Sequence, residues 1–375
     1  MKIAVNTRFL IKNKLEGIGW FTFETMSRLA IEHPEHEFFF LFDRKPDSQF
    51  IFSANVKPVV LNPQARHPFL WFLWFEFSVA RFLKRNKVDV FVSTDGYIPL
   101  STKVPCLSII HDINFEHYPE GIPPVTGWYY KYFFPRFAKK ATRIATVSEY
   151  SKSDIVDTYS IDSEKIDVVY NGASNHYSPI GEDEKISIRN KHTNGRLYFI
   201  FVGALNPRKN VARLLLAFDA FIEETKLDYT LMIVGEKMFK TRDIDEAYKS
   251  MRNSDRVIFT GRLSQTELKD AIGASLAMAF VSYFEGFGIP ALEAIYCDVP
   301  LIASNRTSIP EVAGDAAFYV DPFSVESIAK GMKLMATDAK LREALIAAAA
   351  KRKSLFTWDK TAASLYQSIE KTIAP

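Results

Sequence analysis

Short apolar runs of strand length alternate with amphipathic, helix-period segments along almost the whole chain. A first series of strand-like runs falls at residues 3–6, 38–42, 58–61, 88–93, 106–111, 143–147 and 167–170. A second falls at 198–202, 230–234, 257–260, 276–281, 300–303 and 317–320. Between them lie helical patterns such as 21–31, 210–224, 266–274 and 325–335. Strands that alternate with helices predict parallel sheets covered on both faces. Two such series predict an α/β protein with two doubly wound domains, each with its ligand crevice at the strands' carboxyl ends. Residues 178–195 (SPIGEDEKISIRNKHTNG) break the pattern with polar and charged residues bounded by Pro179 and Gly195, and the interdomain link is placed there. The expected domains are therefore 1–185 and 186–356, followed by a terminal segment, 357–375, with helical spacing of Trp358, Leu365 and Ile369.

Bulk properties agree with two domains. At 375 residues the chain exceeds the size at which one core stops growing. A net charge of +3 is too small for this length to support a nucleic-acid scaffold, so no nucleic-acid partner is expected. The two cysteines, Cys106 and Cys297, have no CxxC spacing and fit a reducing compartment without a disulfide framework. MKIAVNTRF reads as a first strand, and no run approaches the roughly 18 apolar residues of a membrane span. The expectation is a cytoplasmic protein.

The densest chemical signal is Glu285 to Glu293, EGFGIPALE. Gly286 and Gly288 permit backbone shapes closed to other residues, and Pro290 suits the start of a helix. The apolar run before it makes the whole a strand, a glycine loop and a helix. Glu285 then sits at the strand's carboxyl end and Glu293 in the first helical turn, with the amides of Gly286, Phe287, Gly288 and Ile289 between them as an anion site. Carboxylates suited to hydroxyls beside amides suited to phosphate suggest a sugar nucleotide; an ordinary corner with two solvated acids is the competing reading. VGALNPRKN (202–210) has the same form: Gly203 turns the chain, and Arg208 and Lys209 arrive at a helix start, where cations oppose the helix dipole. A dianion would relieve that conflict, although a plain surface basic pair fits these residues too. A diphosphate held by Lys, Arg and amides needs no metal.

Other segments carry weaker signals. Asp243-Ile244-Asp245 has a metal-binding spacing but lies in a polar stretch (237–250) and reads better as a helix start, so no metal site is expected. Glu16-Gly17-Ile18-Gly19 follows the first strand and falls short of GxGxxG, which disfavours an NAD-binding oxidoreductase. His111 stands at a strand's carboxyl end, where crevice residues sit; hydrogen bonding within a loop is the alternative. Ser148 or Ser151 can cap a helix, and Asn171-Gly172 is a turn signature. The aromatic and basic segment 67–87 reads either as a buried helix with a basic end or as a membrane contact. Residues 127–143 mix Lys and Arg with Tyr and Phe and are the better candidate for touching anionic lipid, with Pro135 as an interruption.

Together these segments resemble glycosyltransferase family 4, the retaining, sugar-nucleotide-dependent transferases of the GT-B fold. EGFGIPALEA, the following CDVPLIASNRTSIPEVAGDAAFYVDP and the earlier NPRKN occur in the family's order. The resemblance implies two facing Rossmann-like domains with an interdomain cleft, and a terminal helix from Trp358 that returns to the first domain. It implies Glu285 beside the transferred sugar, Glu293 on ribose hydroxyls, Lys209 and Arg208 on the diphosphate, and Gly203 and the 286–289 amides around sugar and phosphate. Arg262 would lie near the base; Gly17, Gly19 and His111 would belong to the acceptor half. Ala204 departs from the pattern, since many members carry Arg there. The variant motifs look closest to mannosyltransferase-like members that build surface polysaccharide. That implies GDP-mannose as co-substrate, a glycan or lipid-linked glycan acceptor, no cofactor, and peripheral contact with the inner membrane surface. A sugar-nucleotide epimerase or phosphorylase of the same architecture, or a non-catalytic nucleotide-sugar-binding scaffold, are the alternatives.

Overall fold

The computed structural model describes residues 1–238 and 241–374; positions 239 and 240 of the polar stretch 237–250, and residue 375 of the terminal segment, lie outside the described residues. The chain divides into two compact units, Met1–Gly172 with Trp358–Pro375, and Ala173–Thr357.

The first unit holds strands β1 (Lys2–Asn6), β2 (Glu37–Phe42), β3 (Val56–Val60), β4 (Val90–Ser93), β5 (Cys106–Ile109), β6 (Arg143–Thr146) and β7 (Ile166–Val168). They form one parallel sheet in the order β3-β2-β1-β4-β5-β6-β7. Successive side chains point to opposite faces of a strand. Ile3, Val5, Phe38 and Phe40 accordingly enter one apolar layer, while Ala4, Phe39 and Leu41 enter the other. The helix Trp358–Ile373 inserts Trp358, Leu365 and Ile369 into the first of these layers, which makes it part of this unit's core.

The second unit holds β8 (Tyr198–Val202), β9 (Thr230–Val234), β10 (Val257–Gly261), β11 (Ala277–Phe280), β12 (Leu301–Ser304) and β13 (Ala317–Val320), parallel and ordered β10-β9-β8-β11-β12-β13. YFIFV and TLMIV are buried at every position because helices cover both faces, which is why they read as unbroken apolar runs. Both units are therefore doubly wound. Each has a switch point where the strand order reverses, between β1 and β4 in the first and between β8 and β11 in the second. The expected strands are all present, with ends shifted by no more than two residues.

Three expectations are corrected. The stretch 178–195 is not a link: residues Glu182–Thr193 form a helix, started by a hydrogen bond from the Gly181 amide to the Glu184 carboxylate. Its polarity reflects a solvated outer face, and its inner side packs on the same unit, with Arg189 donating to the Ala274 carbonyl and Ile180 against Gly273. The boundary falls instead at Gly172/Ala173, and the return at Thr357/Trp358, where Ala173 and Thr357 pair as a parallel bridge. Pro135 does not interrupt its segment, because a continuous helix, Pro124–Lys140, runs through it with Tyr129, Phe134 and Phe137 buried on one side. The segment 67–87 is helical but not buried all round: Trp74, Phe75, Val79 and Leu83 face the core, whereas Phe69 and Phe77 are exposed.

Candidate active site

The carboxyl ends of β8 and β11 are neighbours, although they lie far apart in sequence. Beyond β8, the Asn206 side chain accepts the Lys209 amide and starts a tight turn, Pro207–Lys209. Asn210, in the left-handed region at φ 60°, ties that turn to the other strands by donating to the carbonyls of Val281 (2.9 Å) and Pro322 (2.7 Å). Beyond β11, the Glu285 amide donates to the Thr307 hydroxyl at 3.1 Å, and the Ser308 hydroxyl lies 2.8 Å from the Glu285 carbonyl and 3.1 Å from that of Phe287. The glycine loop is thus clamped from the end of β12. Gly288, at φ +103°, opens the helix Ile289–Tyr296. A Cβ there would press on the Phe280 ring at 3.1 Å.

These two loops bring a lysine, an arginine and a carboxylate together. Lys209 Nζ lies 2.6 Å from Glu285 Oε1, and Arg208 Nη1 lies 3.1 Å from Oε2. Lys209 also stands over the Phe280 ring, 5.5 Å from its centre, and Arg208 donates to the Phe284 carbonyl. Lys209 and Glu285 are both buried. Burial pushes the Glu285 carboxyl up, but Lys209 first and Arg208 second outweigh it and hold the group at about 2. Glu285 therefore stays ionised at any physiological pH: it can accept hydrogen bonds and offset positive charge, and it cannot serve as an acid.

Glu293 is the fifth residue of its helix, just past the first turn in which it was expected, because the helix starts one residue before Pro290. Burial raises its carboxyl to about 7, and a hydrogen bond from Tyr177 opposes that rise only in part. Tyr177 was not anticipated, because it enters from the start of the unit, more than a hundred residues before its partner. The Phe287 side chain packs edge-on against Phe356, so only its main chain is available to a ligand.

Gly203, at φ +152°, would hold a Cβ at ordinary distances. The tighter glycine is one that sequence reasoning missed, Gly235 at the end of β9. It has φ +147°, and a Cβ there would lie 1.9 Å from the Gly203 carbonyl oxygen. Gly203 donates to Val234, Leu205 to Glu236 and Gly235 to Gly261, lacing the ends of β8, β9 and β10 together. Gly235→Ala should therefore cost about 2 kcal/mol or more of stability, measurable by urea unfolding. A cavity of about 570 Å³ opens beside this lacing, lined by Leu205, Gly235, Glu236, Tyr248 and Phe259 among others, and Arg262 follows Gly261 in exposed position.

In the first unit, His111 follows β5. Its Nε2 donates to the Thr94 carbonyl at 2.9 Å, leaving Nδ1 as the acceptor, and the Phe21 ring meets it edge-on. Burial lowers its pKa, with the Thr94 carbonyl acting in the other direction, so the imidazole is neutral at pH 7. Gly17 is the first residue of the helix Gly17–Glu32, with open space where a Cβ would stand. Gly19 serves close packing within the chain, since its Cβ would lie 3.0 Å from the Phe9 carbonyl. The first switch point carries a buried ion pair that was also missed: Arg8 Nε to Asp95 Oδ2 at 2.6 Å, with Asn6 and Ser93 donating to Oδ1. Polar residues directly after apolar strands (Asn6 to Arg8, Ser93 to Asp95) were the available signal.

Asp243 and Asp245 occupy the first turn of the helix Arg242–Ser250, where Asp245 pairs with Lys237. Among the described residues, the one cluster able to hold a metal ion is His33, Glu35 and His36, before the amino end of β2 and so away from the strands' carboxyl ends.

Known proteins match both units. Residues 16–175 fit the family model described as Glycosyltransferase Family 4, and residues 182–352 fit the one described as Glycosyl transferases group 1. The chain is 27% identical to the O-antigen chain mannosyltransferase B of Escherichia coli, over 96% of this chain and 97% of that one. It is 28% identical to the O-antigen chain mannosyltransferase RfbU of Salmonella typhimurium, over 71% of this chain and 70% of that one. Among solved structures, Anabaena HepE in complex with UDP and glucose has the same fold, with a TM-score of 0.77 at 16% identity over 99% of each chain.

Proposed function

From a chain that belongs to the family 4 glycosyltransferases, with both family models matched in order, we propose a specific reaction: transfer of mannose from GDP-mannose to a hydroxyl of a surface glycan or its lipid-linked precursor, with retained anomeric configuration and without a metal. The observation that carries the proposal is the Lys209–Glu285–Arg208 cluster at the second switch point. Departure of the nucleotide diphosphate leaves an oxocarbenium-like sugar, so the barrier is mostly charge separation. Lys209 and Arg208, with the amides of 286–289, supply positive charge where the leaving group becomes negative. Ala204 adds none, so neutralisation rests on these two side chains. Glu285, held ionised, accepts sugar hydroxyls and offsets the developing positive charge on the sugar.

Glu293 takes the ribose hydroxyls in this reading. The cavity lined by Gly235 and Glu236, with Arg262 at the neighbouring strand end, takes the base. His111, neutral and fixed by Thr94, offers one nitrogen acceptor to a sugar hydroxyl. Gly17 and the helix start beside it offer backbone to the acceptor. Mannose and a surface glycan are favoured because two relatives are named as O-antigen mannosyltransferases.

A thermal-shift panel of GDP-, UDP- and ADP-sugars, run with and without EDTA, tests the proposal. GDP-mannose should stabilise the protein most, and EDTA should leave both the shift and the turnover within about twofold, since binding to the native state alone raises the melting temperature. A shift selective for a UDP-sugar would sink the donor assignment. Loss of turnover in EDTA would sink the metal-free mechanism.

A further inference from the structure

Thr94 follows β4 and His111 follows β5, neighbouring strands of the first unit. A peptide carbonyl can only accept, so the 2.9 Å contact with the Thr94 carbonyl places the imidazole proton on Nε2. Nδ1 is then the acceptor of a half-buried ring. The Phe21 ring, edge-on with its centre 4.9 Å away, restrains the tilt of the imidazole.

Thr94 is itself held from both sides. Its hydroxyl donates to the Asn6 carbonyl at 3.0 Å, and the Thr22 hydroxyl, on the helix Gly17–Glu32, lies 2.8 Å from it. The next residue, Asp95, has both oxygens engaged. Asn6 Nδ2 at 2.8 Å, the Ser93 hydroxyl at 3.0 Å and the Tyr97 amide at 3.3 Å donate to Oδ1, and Arg8 Nε donates to Oδ2 at 2.6 Å. The Arg8 guanidinium in turn lies 4.5 Å from the centre of the Tyr97 ring and 4.9 Å from that of Phe9. Asn6, Arg8, Ser93, Thr94 and Asp95 are all buried. A buried ion pair is weak evidence for stability, because apolar residues of similar volume do as well or better. What this pair secures is a direction: the turn after β4 is pinned to the end of β1, and its Thr94 carbonyl points at the imidazole.

We propose that Thr94 is a positioning residue. Anchored by the Asp95–Arg8 pair, its carbonyl holds His111 in one tautomer and one orientation, so that Nδ1 already faces the way a sugar hydroxyl needs it. A group held in place before the reaction spares the cost of ordering it at the moment of reaction. The effect on turnover rests on the role of His111 proposed above; the orientation of the ring does not.

Two measurements on the full chain test it. With isotope-labelled histidine, nuclear magnetic resonance should show an Nε2–H proton of His111 protected from solvent exchange, assigned by its loss in His111→Ala. Thr94→Val keeps the shape and removes the hydroxyl, and should abolish that protection. Thr94→Ser should keep it. Arg8→Gln with Asp95→Asn, which leaves no buried charge unmatched, should abolish it as well, and a cooperative melt shows that each variant folds. The second measurement is turnover with the sugar nucleotide that gives the largest thermal shift. His111→Ala should lower it about tenfold and Thr94→Val about fivefold, each the weight of one hydrogen bond. In a His111→Ala background Thr94→Val should have no further effect, because the one acts through the other. Protection unchanged in Thr94→Val would overturn the proposal. So would a loss in Thr94→Val that adds in full to that of His111→Ala, which would make Thr94 a residue of the fold alone. Wild-type turnover in His111→Ala, with protection still dependent on Thr94, would instead remove His111 from the reaction and support the orientation.

Discussion

Replacing Lys209 by alanine should lower turnover by a hundredfold or more at saturating donor. Removing a single preorganised charge from the place where charge develops in the transition state commonly costs several kcal/mol, and each 1.36 kcal/mol is about tenfold in rate. Lys209 has little company there: Arg208 is the other cation on Glu285, and position 204 is alanine. The same substitution also has a structural consequence. Glu285 is buried, and it is Lys209, ahead of Arg208, that keeps its carboxyl near 2. Without Lys209 the carboxylate faces its desolvation cost with one partner, and loss of a partner from a buried pair costs about 3–5 kcal/mol where nothing compensates. Arg208 compensates in part, so a smaller loss is expected.

The two effects separate experimentally. Lys209→Ala with Glu285→Gln should recover most of the thermal stability, because no buried charge is left unmatched, and should recover none of the turnover. Measuring the rate at saturating donor alongside the melting temperature distinguishes a catalytic lysine from a structural one. A Lys209→Ala protein within tenfold of wild type would remove Lys209 from the mechanism.

The parts of the site that were legible in the sequence share a physical cause: the backbone itself needs special residues there. Gly286, Gly288 and Pro290 mark a strand-to-helix loop whatever surrounds it, and Arg208-Lys209 at a helix start conflicts with the dipole whatever surrounds it. The parallel strands were legible because burial on both faces demands unbroken apolar runs. What escaped depends on partners distant in sequence. Gly235 is one more glycine after a strand until the Gly203 carbonyl is placed against it. Asp95 and Arg8 become a buried pair only when β1 and β4 are neighbours. The helix Glu182–Thr193 reads as a link in the sequence because a solvated helix and a linker have the same composition; the capping bond from Gly181 to Glu184 tells them apart.

Glu293 carries the second large expectation, and its sign is specific. Burial raises its carboxyl from the ordinary value of 4.5 to about 7 in the folded protein. The folded state therefore holds a proton that the unfolded state releases between those values, and the associated stability is complete below about 4.5 and lost as pH rises through about 7. Above 7 the protein bears an ionised, half-buried carboxylate at a cost of no more than about 3 kcal/mol. Glu293→Gln removes that cost. It should melt at a higher temperature than wild type at pH 8 and at nearly the same temperature at pH 5, where both side chains are neutral. The carboxylate is nevertheless the better partner for a ribose diol, because it accepts only and with both oxygens. Donor binding to the wild type must then expel a proton at low pH, so affinity should fall about tenfold between pH 8 and pH 6. In Glu293→Gln the affinity should be weaker at pH 8 and flat across the same range. Calorimetry of donor binding at the two pH values reads both, and a wild-type affinity independent of pH would remove Glu293 from the ribose. Where the affinity does follow pH, the stability gained by the neutral side chain is the opposite side of the same charge: the folded protein tolerates an unfavourable carboxylate because the donor uses it.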